Sequence, residues 1–383
     1  MELRPGSSLT PWLTERLVLL GAVLPFAQAA DLLARFTGVR VGEETVRRVT
    51  EQIGAAQVAI ETAEVAELAR TMPDGSAGPA VQLLSVDGVM VPLVGPVWAE
   101  VKLAALGTVV AHADGPRTGA LSYFARLTDA ETFGDLATGE THRRGTTTAG
   151  TVVAVTDGAL WCQRFIDLHR PDAVRILDFP HAVEQLSTVA QSVFGPGTAA
   201  ASEWLGIQRH ALRHGQEESV LTAIEQLATT PGLATSVVAI VQGVLGYLRS
   251  RRDHIHYEAF TAAGWPIGSG CVESGNKLVV EARRKGAGMH WARANVNPVL
   301  ALRTVLANDR WDECWPAMWR AVCAPSPARE PAVVTSTPTP PPAVTTSPDA
   351  PAPMLPPRPK TIVNGRPTND HPWKRPLHPS ANS

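Results

Sequence analysis

A chain of 383 residues with 44% hydrophobic and 18% charged side chains can build one large core or two to three domains, and is too apolar to be disordered throughout or fibrous. Its 34 Lys+Arg against 36 Asp+Glu leave a formal charge of −2, so no global positive field advertises a nucleic-acid partner and any such reading rests on local patches. Cys162, Cys271, Cys314 and Cys323 include no C-x-x-C pair, which argues against a disulfide scaffold and a cysteine zinc site and fits a reducing cytoplasm.

Residues 10–70 read as helices. Leu13, Leu17, Leu20 and Leu24, then Ala30, Leu33 and Phe36, recur at three- and four-residue spacing. Residues 17–30 (LVLLGAVLPFAQAA) imitate the apolar region and cleavage site of a signal peptide. The preceding Glu2, Arg4, Glu15 and Arg16 sum to zero charge, however, and the apolar period continues through Leu32, Leu33 and Phe36, so the segment is read as helix. No other run approaches the ~20 apolar residues of a membrane span. Thr37-Gly38 closes one helix, and residues 43–53 (EETVRRVTEQI) open another carrying Arg47 and Arg48. That order suits a DNA-binding helix-turn-helix and, more readily, an ordinary helical hairpin.

From residue 81 the period changes. Residues 81–94 (VQLLSVDGVMVPLV), 97–112 and 121–127 read as successive strands, and 129–136 as a short helix. Residues 151–156 (TVVAVT) form a strand of fully buried type, followed by a helix over 160–169, a short strand at 174–177 and a helix over 181–194. Three strands, helix, strand, helix, strand, helix is the order of a ribonuclease H-like α/β domain. Residues 197–262 are then largely helical, with Trp204, Leu212, Leu221, Ile224, Leu227 and Leu248 as anchors, and a last helical stretch covers 270–306. After Cys323 the composition shifts: 17 of the 32 prolines fall in the last 60 residues, among Thr, Ser and Ala. Such a segment lacks the apolar surface to offset its ordering entropy, so a disordered or extended tail is expected over 323–383.

Two aspartates close apolar strands and precede glycine: Asp87 in LLSVDGV and Asp157 in VVAVTDGA. If the first and fourth strands lie side by side, both carboxylates reach one spot, where a divalent cation would relieve their repulsion. Asp-Gly is also a common turn signal. Glu273 lies on the first turn of a helix after the Gly/Ser-rich PIGSG, and a third carboxylate there completes a two-metal site with ions ~3.5–4 Å apart; the same acid would also complement a helix dipole. Asp178 and His181 in ILDFPHA are spaced to bind metal or, more commonly, to hydrogen-bond each other. Arg283, Arg284 and Lys285 before Gly286-Ala-Gly288, with Arg293 and Arg303 after, can track a phosphate backbone or form a solvated basic face. His290 and Trp291 offer a stacking surface or, for Trp291, core; Trp311, Trp315 and Trp319 read as core.

These residues together resemble the transposases of bacterial insertion sequences of the Kra type, distant relatives of the Mutator superfamily. The most specific block is PIGSG, Val272-Glu273-Ser274 and the Arg-Lys-Gly-x-Gly-Met-x-Trp stretch ending at Trp291; VDG, TDGA, DFPHA, LRTVLANDRWDECW and HPWKR add to it. The resemblance implies a ribonuclease H-like mixed sheet with an all-α insertion before the last catalytic helix. Its divisions would be a helical, DNA-binding region at 1–75, a catalytic core at 76–196 and 263–322, the insertion at 197–262 and the Pro-rich tail at 323–383. It implies a catalytic, metal-holding DDE triad of Asp87, Asp157 and Glu273, with two Mg²⁺ or Mn²⁺ ions. Asp178 and His181 match the C/D-x-x-H motif, Asp178 being the rival second ligand. Arg283, Arg284, Lys285 and Arg293, with Arg47 and Arg48, would contact DNA at terminal inverted repeats and target. The implied reaction is cutting of element ends and joining of the 3′-hydroxyl to target DNA, by a dimer or larger synaptic assembly in the bacterial cytoplasm, at the nucleoid, without membrane association. The alternatives are a stand-alone nuclease of the same fold and a DNA-binding relic.

Overall fold

The computed structural model describes residues 9–95, 97–112, 115–285 and 289–324, and residues 362–363 and 366–367. Within the first 325 residues the order is α1 (Pro11–Val23), α2 (Phe26–Thr37), α3 (Glu43–Thr71), β1 (Val81–Leu93), β2 (Val97–Val110), β3 (Arg117–Arg126), α4 (Ala130–Arg143), β4 (Thr151–Thr156), α5 (Leu160–His169), β5 (Val174–Leu177) and α6 (Phe179–Phe194). A helical block follows, α7 (Ala199–Arg213), α8 (Glu217–Ala228), α9 (Thr235–Arg249) and α10 (Tyr257–Ala262), then α11 (Gly270–Gly275), a widened π turn over Asn276–Glu281, α12 (Ala282–Arg284), α13 (Val296–Ala307) and α14 (Trp311–Cys323). In the tail unit, β6 (Ile362–Val363) pairs antiparallel with β7 (Arg366–Pro367); the rest of the expected Pro-rich disorder lies outside the described residues.

The five strands form one mixed sheet in the order β3-β2-β1-β4-β5. β1, β2 and β3 are an antiparallel meander, whereas β4 and β5 join β1 in parallel. Alternation divides the side chains of β1: Leu84 and Val86 pack with Phe133, Phe165 and Ile166 of α4 and α5 on one face. Leu83, Val89 and Val91 turn to the other face, where Val272, Val279, Val299 and Leu300 cover the β1–β3 side and α6 to α10 cover the β4–β5 side. The α/β character and the order of strands and helices therefore follow the sequence reading. β3 begins at Arg117 rather than 121, and α4 runs to Arg143 rather than 136. Asp129 caps α4 by accepting from Thr132 N at 2.9 Å.

The apolar run 17–36 is two helices, not one: Leu24 is extended before Pro25, whose ring disfavours helical backbone at the preceding residue. Gly38 closes α2 at φ 75°, as its position suggests. α1, α2 and α3 pack against α13 and α14 through Leu17, Leu33, Ile53, Leu302 and the tryptophans. Trp311, Trp315 and Trp319 stack in series, centroids 5.8 Å apart, inside this core. All four cysteines are free thiols. Among the described residues no helix is long and apolar enough to cross a membrane.

Candidate functional site

Register places the first two carboxylates together. The parallel ladder pairs Leu83 with Val153 and Leu84 with Ala154, an offset that carries on to Asp87 and Asp157 three residues further. Both continue the row of Leu83, Val153 and Val155, so both belong to the face covered by α11 and α6. Asp87 stands in the middle of β1, beyond the point where β4 ends, so its head reaches the gap that the shorter strand leaves. Glu273 enters from the first turn of α11, which packs on that face through Val272.

Asp87, Asp157 and Glu273 line one cavity of about 290 Å³, together with Asp178, Glu184, His181 and Ser269. Five carboxylates and one histidine face this space, and no lysine or arginine is among the described residues lining it. Burial raises the Asp87 carboxyl above its ordinary value, and the charges of Asp157 and Glu273 push the same way, against the Gly88 N–H and the Asn276 amide. No three Asp, Glu, His or Cys side chains among the described residues converge on a single point. Glu273 is exposed, and its Oε1 accepts from Ser269 Oγ at 3.0 Å.

Asp157 and Asp178 occupy different environments. Asp157 is half-exposed; its Oδ1 accepts from Ala159 N at 2.9 Å and lies 3.5 Å from the Cys162 thiol. Asp178 is 4% exposed, and each of its oxygens takes a backbone N–H: Oδ2 from His181 at 2.9 Å, capping α6, and Oδ1 from Ser269 at 2.7 Å. Burial raises the Asp178 carboxyl, against those two donors. With Phe179 N donating to Ile267 O at 2.9 Å, Asp178 ties the entry of α11 to the end of β5. The expected Asp178–His181 bond is thus made to the His181 backbone, while the His181 ring stands 3.5 Å from Glu184.

Three further residues complete the site. Asn276 Nδ2 donates to Asp87 Oδ2 at 2.7 Å, and Asn276 Oδ1 is buried without a partner among the described residues. Tyr247 Oη donates to the Asp157 carbonyl at 2.5 Å, and Arg251, stacked over the Tyr247 ring, donates to the Gly158 carbonyl at 2.8 Å. Gly158 has φ 79°, which favours glycine, and a Cβ there would meet Arg251 Nε at 2.5 Å. Asn276 lies one helical turn after Glu273, a spacing visible in the sequence. Tyr247 and Arg251 sit 90 residues or more from their partners, so no local signal marks them.

The basic residues divide. Arg283 is 2% exposed, with its guanidinium 4.5 Å from the Phe26 ring centroid and 4.9 Å from that of Trp291, and it donates toward the Gly21 carbonyl. The reading of Arg283 as a phosphate contact is therefore corrected: two aromatic rings and a helix end satisfy the cation inside the protein. Arg303 is likewise buried, donating to the carbonyls of Val279 and Ala22, and Trp291 is core. Lys285 and Arg293 are exposed, Lys285 paired with Glu281. The side chain of Arg284 and residues 286–288 lie outside the described residues. On α3, Arg47 pairs with Glu44 and Glu51, whereas Arg48 is exposed.

No protein-family model matches the chain, and a search of curated proteins returns no match.

Proposed function

We propose that the chain is a DDE-type DNA transposase with a ribonuclease H-like core, which cuts the ends of its own element and joins the freed 3′-hydroxyl to target DNA. The observation that carries the reading is the meeting of Asp87, Asp157 and Glu273, from two adjacent strands and a helix packed on them, at one cavity lined by acids without a lysine or arginine among the described residues. The strand order β3-β2-β1-β4-β5, with the helical block between β5 and Glu273, supports the same reading.

The donor set fits Mg²⁺ or Mn²⁺: it offers hard oxygen ligands, and the raised Asp87 carboxyl and the unpartnered Asn276 Oδ1 mark a site whose polar groups are not satisfied by protein alone. A pair of such ions, when bound, supplies charge stabilisation to a phosphodiester undergoing in-line substitution. Asp87, Asp157 and Glu273 would hold them. Asn276 orients Asp87, and Asp178 fixes the loop from which α11 and Glu273 start, so Asp157 rather than Asp178 is the second ligand in this reading. The exposed Lys285, Arg293 and Arg48 remain available for DNA phosphates. Two element ends cut together call for a dimer or larger assembly.

The test is cleavage of labelled DNA carrying the sequence that flanks this gene in its genome, in Mg²⁺ and in Mn²⁺. The expected result is metal-dependent cutting and strand joining by wild type, both lost in Asp157→Asn with DNA binding retained. Cutting without joining would indicate a nuclease. Wild-type protein that is folded and binds this DNA yet leaves it intact would overturn the enzymatic reading.

A further inference from the structure

An acid-lined cavity repels the phosphates that its proposed function requires, so the polyanion must be held by cations close to the rim. α7 provides them. Arg209, His210, Arg213 and His214 are all exposed and stand at the end of that helix, where they line a shallow cavity of about 270 Å³ with Phe179 as its floor. The guanidinium of Arg213 lies 5.4 Å from the Phe179 ring centroid, and the His210 and His214 rings are 4.3 Å apart. Neither arginine has an ion-pair partner among the described residues, in contrast to Arg249 and Arg252 of the same helical block, which pair with Glu225 and Glu218.

The helix end alone does not account for this cluster. One cation complements the roughly half-unit negative charge of a helix C-terminus; the last turn of α7 carries His210 and Arg213, its cap is His214, and Arg209 immediately precedes them. The Glu258 carboxylate packs against Gly215, just beyond the cluster. Phe179 links the patch to the candidate site. It directly follows Asp178, and its neighbours Asp178, Pro180 and His181 line the acidic cavity. The two cavities are therefore lined by successive residues at the start of α6.

We propose that the exposed face of α7, through Arg209 and Arg213, is a binding site for the phosphodiester backbone of duplex DNA and delivers that backbone to the Asp87–Asp157–Glu273 cavity. This deepens the proposed function and rests on it for the direction of delivery; the binding itself does not depend on cleavage. The recognition is of charge, without base readout, so it is independent of sequence and sensitive to salt.

The test measures fluorescence anisotropy of a short duplex of arbitrary sequence against salt for the full chain, for Arg209→Gln/Arg213→Gln, and for Arg320→Gln on α14 as a charge control. Two lost phosphate contacts should reduce the slope of log K against log salt by about 1.8, so the double variant should lose about tenfold less affinity than wild type between about 50 and 200 mM salt. At the lower salt it should also bind more weakly than wild type, with an unchanged circular dichroism spectrum. An unchanged slope in the double variant, or an equal change in Arg320→Gln, would overturn the proposal. If wild type cleaves no DNA yet the α7 variant shows the reduced slope, the enzymatic reading falls and the binding site stands.

Discussion

Among single residues, the contrast between Asp157 and Asp178 decides what each aspartate does. Both are strand-end carboxylates beside the same cavity, and by sequence either suits a metal ligand. Asp178 uses both oxygens to accept backbone N–H groups from different elements, which needs two acceptor atoms on one side chain. Asparagine has one acceptor oxygen, so Asp178→Asn leaves one buried N–H facing an NH₂ group, a loss of about 1–3 kcal/mol. Asp157 is half-exposed, and its Oδ1 accepts from Ala159 N, a bond an amide oxygen can keep. Urea unfolding should therefore show Asp178→Asn destabilised by that amount and Asp157→Asn within about 0.5 kcal/mol of wild type. Equal stability of the two variants would remove the distinction. Arg283 teaches a related point: a basic run in sequence does not separate a cation that meets solvent from one enclosed by Phe26 and Trp291.

At the scale of elements, the sheet was legible because each strand is an apolar run of the right length bounded by turn residues, and a buried parallel strand such as TVVAVT has few other readings. The positions of Asp157 just after a strand and Glu273 on the first turn of a helix follow from local pattern, whereas Asp87, which its Asp-Gly signal placed at a strand end, stands in the middle of β1. What local pattern could not carry is the contact between the helical block and the site. α9 and the turn after it bring Tyr247 and Arg251 onto the Asp157–Gly158 turn, where they donate to two successive carbonyls. This clamp holds the backbone from which the Asp157 side chain projects. Tyr247→Phe removes one donor from a half-buried contact and should cost about 0.5–1.5 kcal/mol in unfolding. In the proposed metal site its informative effect is on the cation: the Mg²⁺ concentration giving half-maximal thermal stabilisation should rise several-fold, because a looser Asp157 would meet the ion less often in register. Arg251→Lys, which cannot span the Gly158 carbonyl and the Tyr247 ring with a planar head, should behave in the same direction. Variants with an unchanged Mg²⁺ requirement would reduce the clamp to a packing contact between α9 and the sheet.

On the scale of the whole molecule, the formal charge of −2 conceals a strong segregation: five carboxylates share one cavity, while Arg126, Arg283 and Arg303 are buried in the framework. The buried Arg126 pairs with Glu61, and burial lowers its pKa to about 9. Two histidines, His169 at the end of α5 and His254, are held below their ordinary pKa by burial, and His169 is shifted to about 4. Its Nε2 lies 3.1 Å from the Gly134 carbonyl, to which it donates, and its Nδ1 3.2 Å from Thr141 Oγ1. The ring packs 4.4 Å from Phe165, and burial lowers its pKa from 6.5 to about 4. A depressed histidine pKa means that, between those two values, the unfolded chain binds a proton that the folded chain refuses. Stability then rises with pH through this window, and it is lost as pH falls from about 6.5 toward about 4, by about 3 kcal/mol in full. Urea midpoints of wild type should accordingly drop between neutral pH and about pH 5 by more than those of His169→Gln, which has no proton to take up. The gap between the two proteins should amount to about 2 kcal/mol over that interval. Curves that fall in parallel would show that carboxylate protonation, and not the α4–α5 junction around His169, sets the acid limit of the fold.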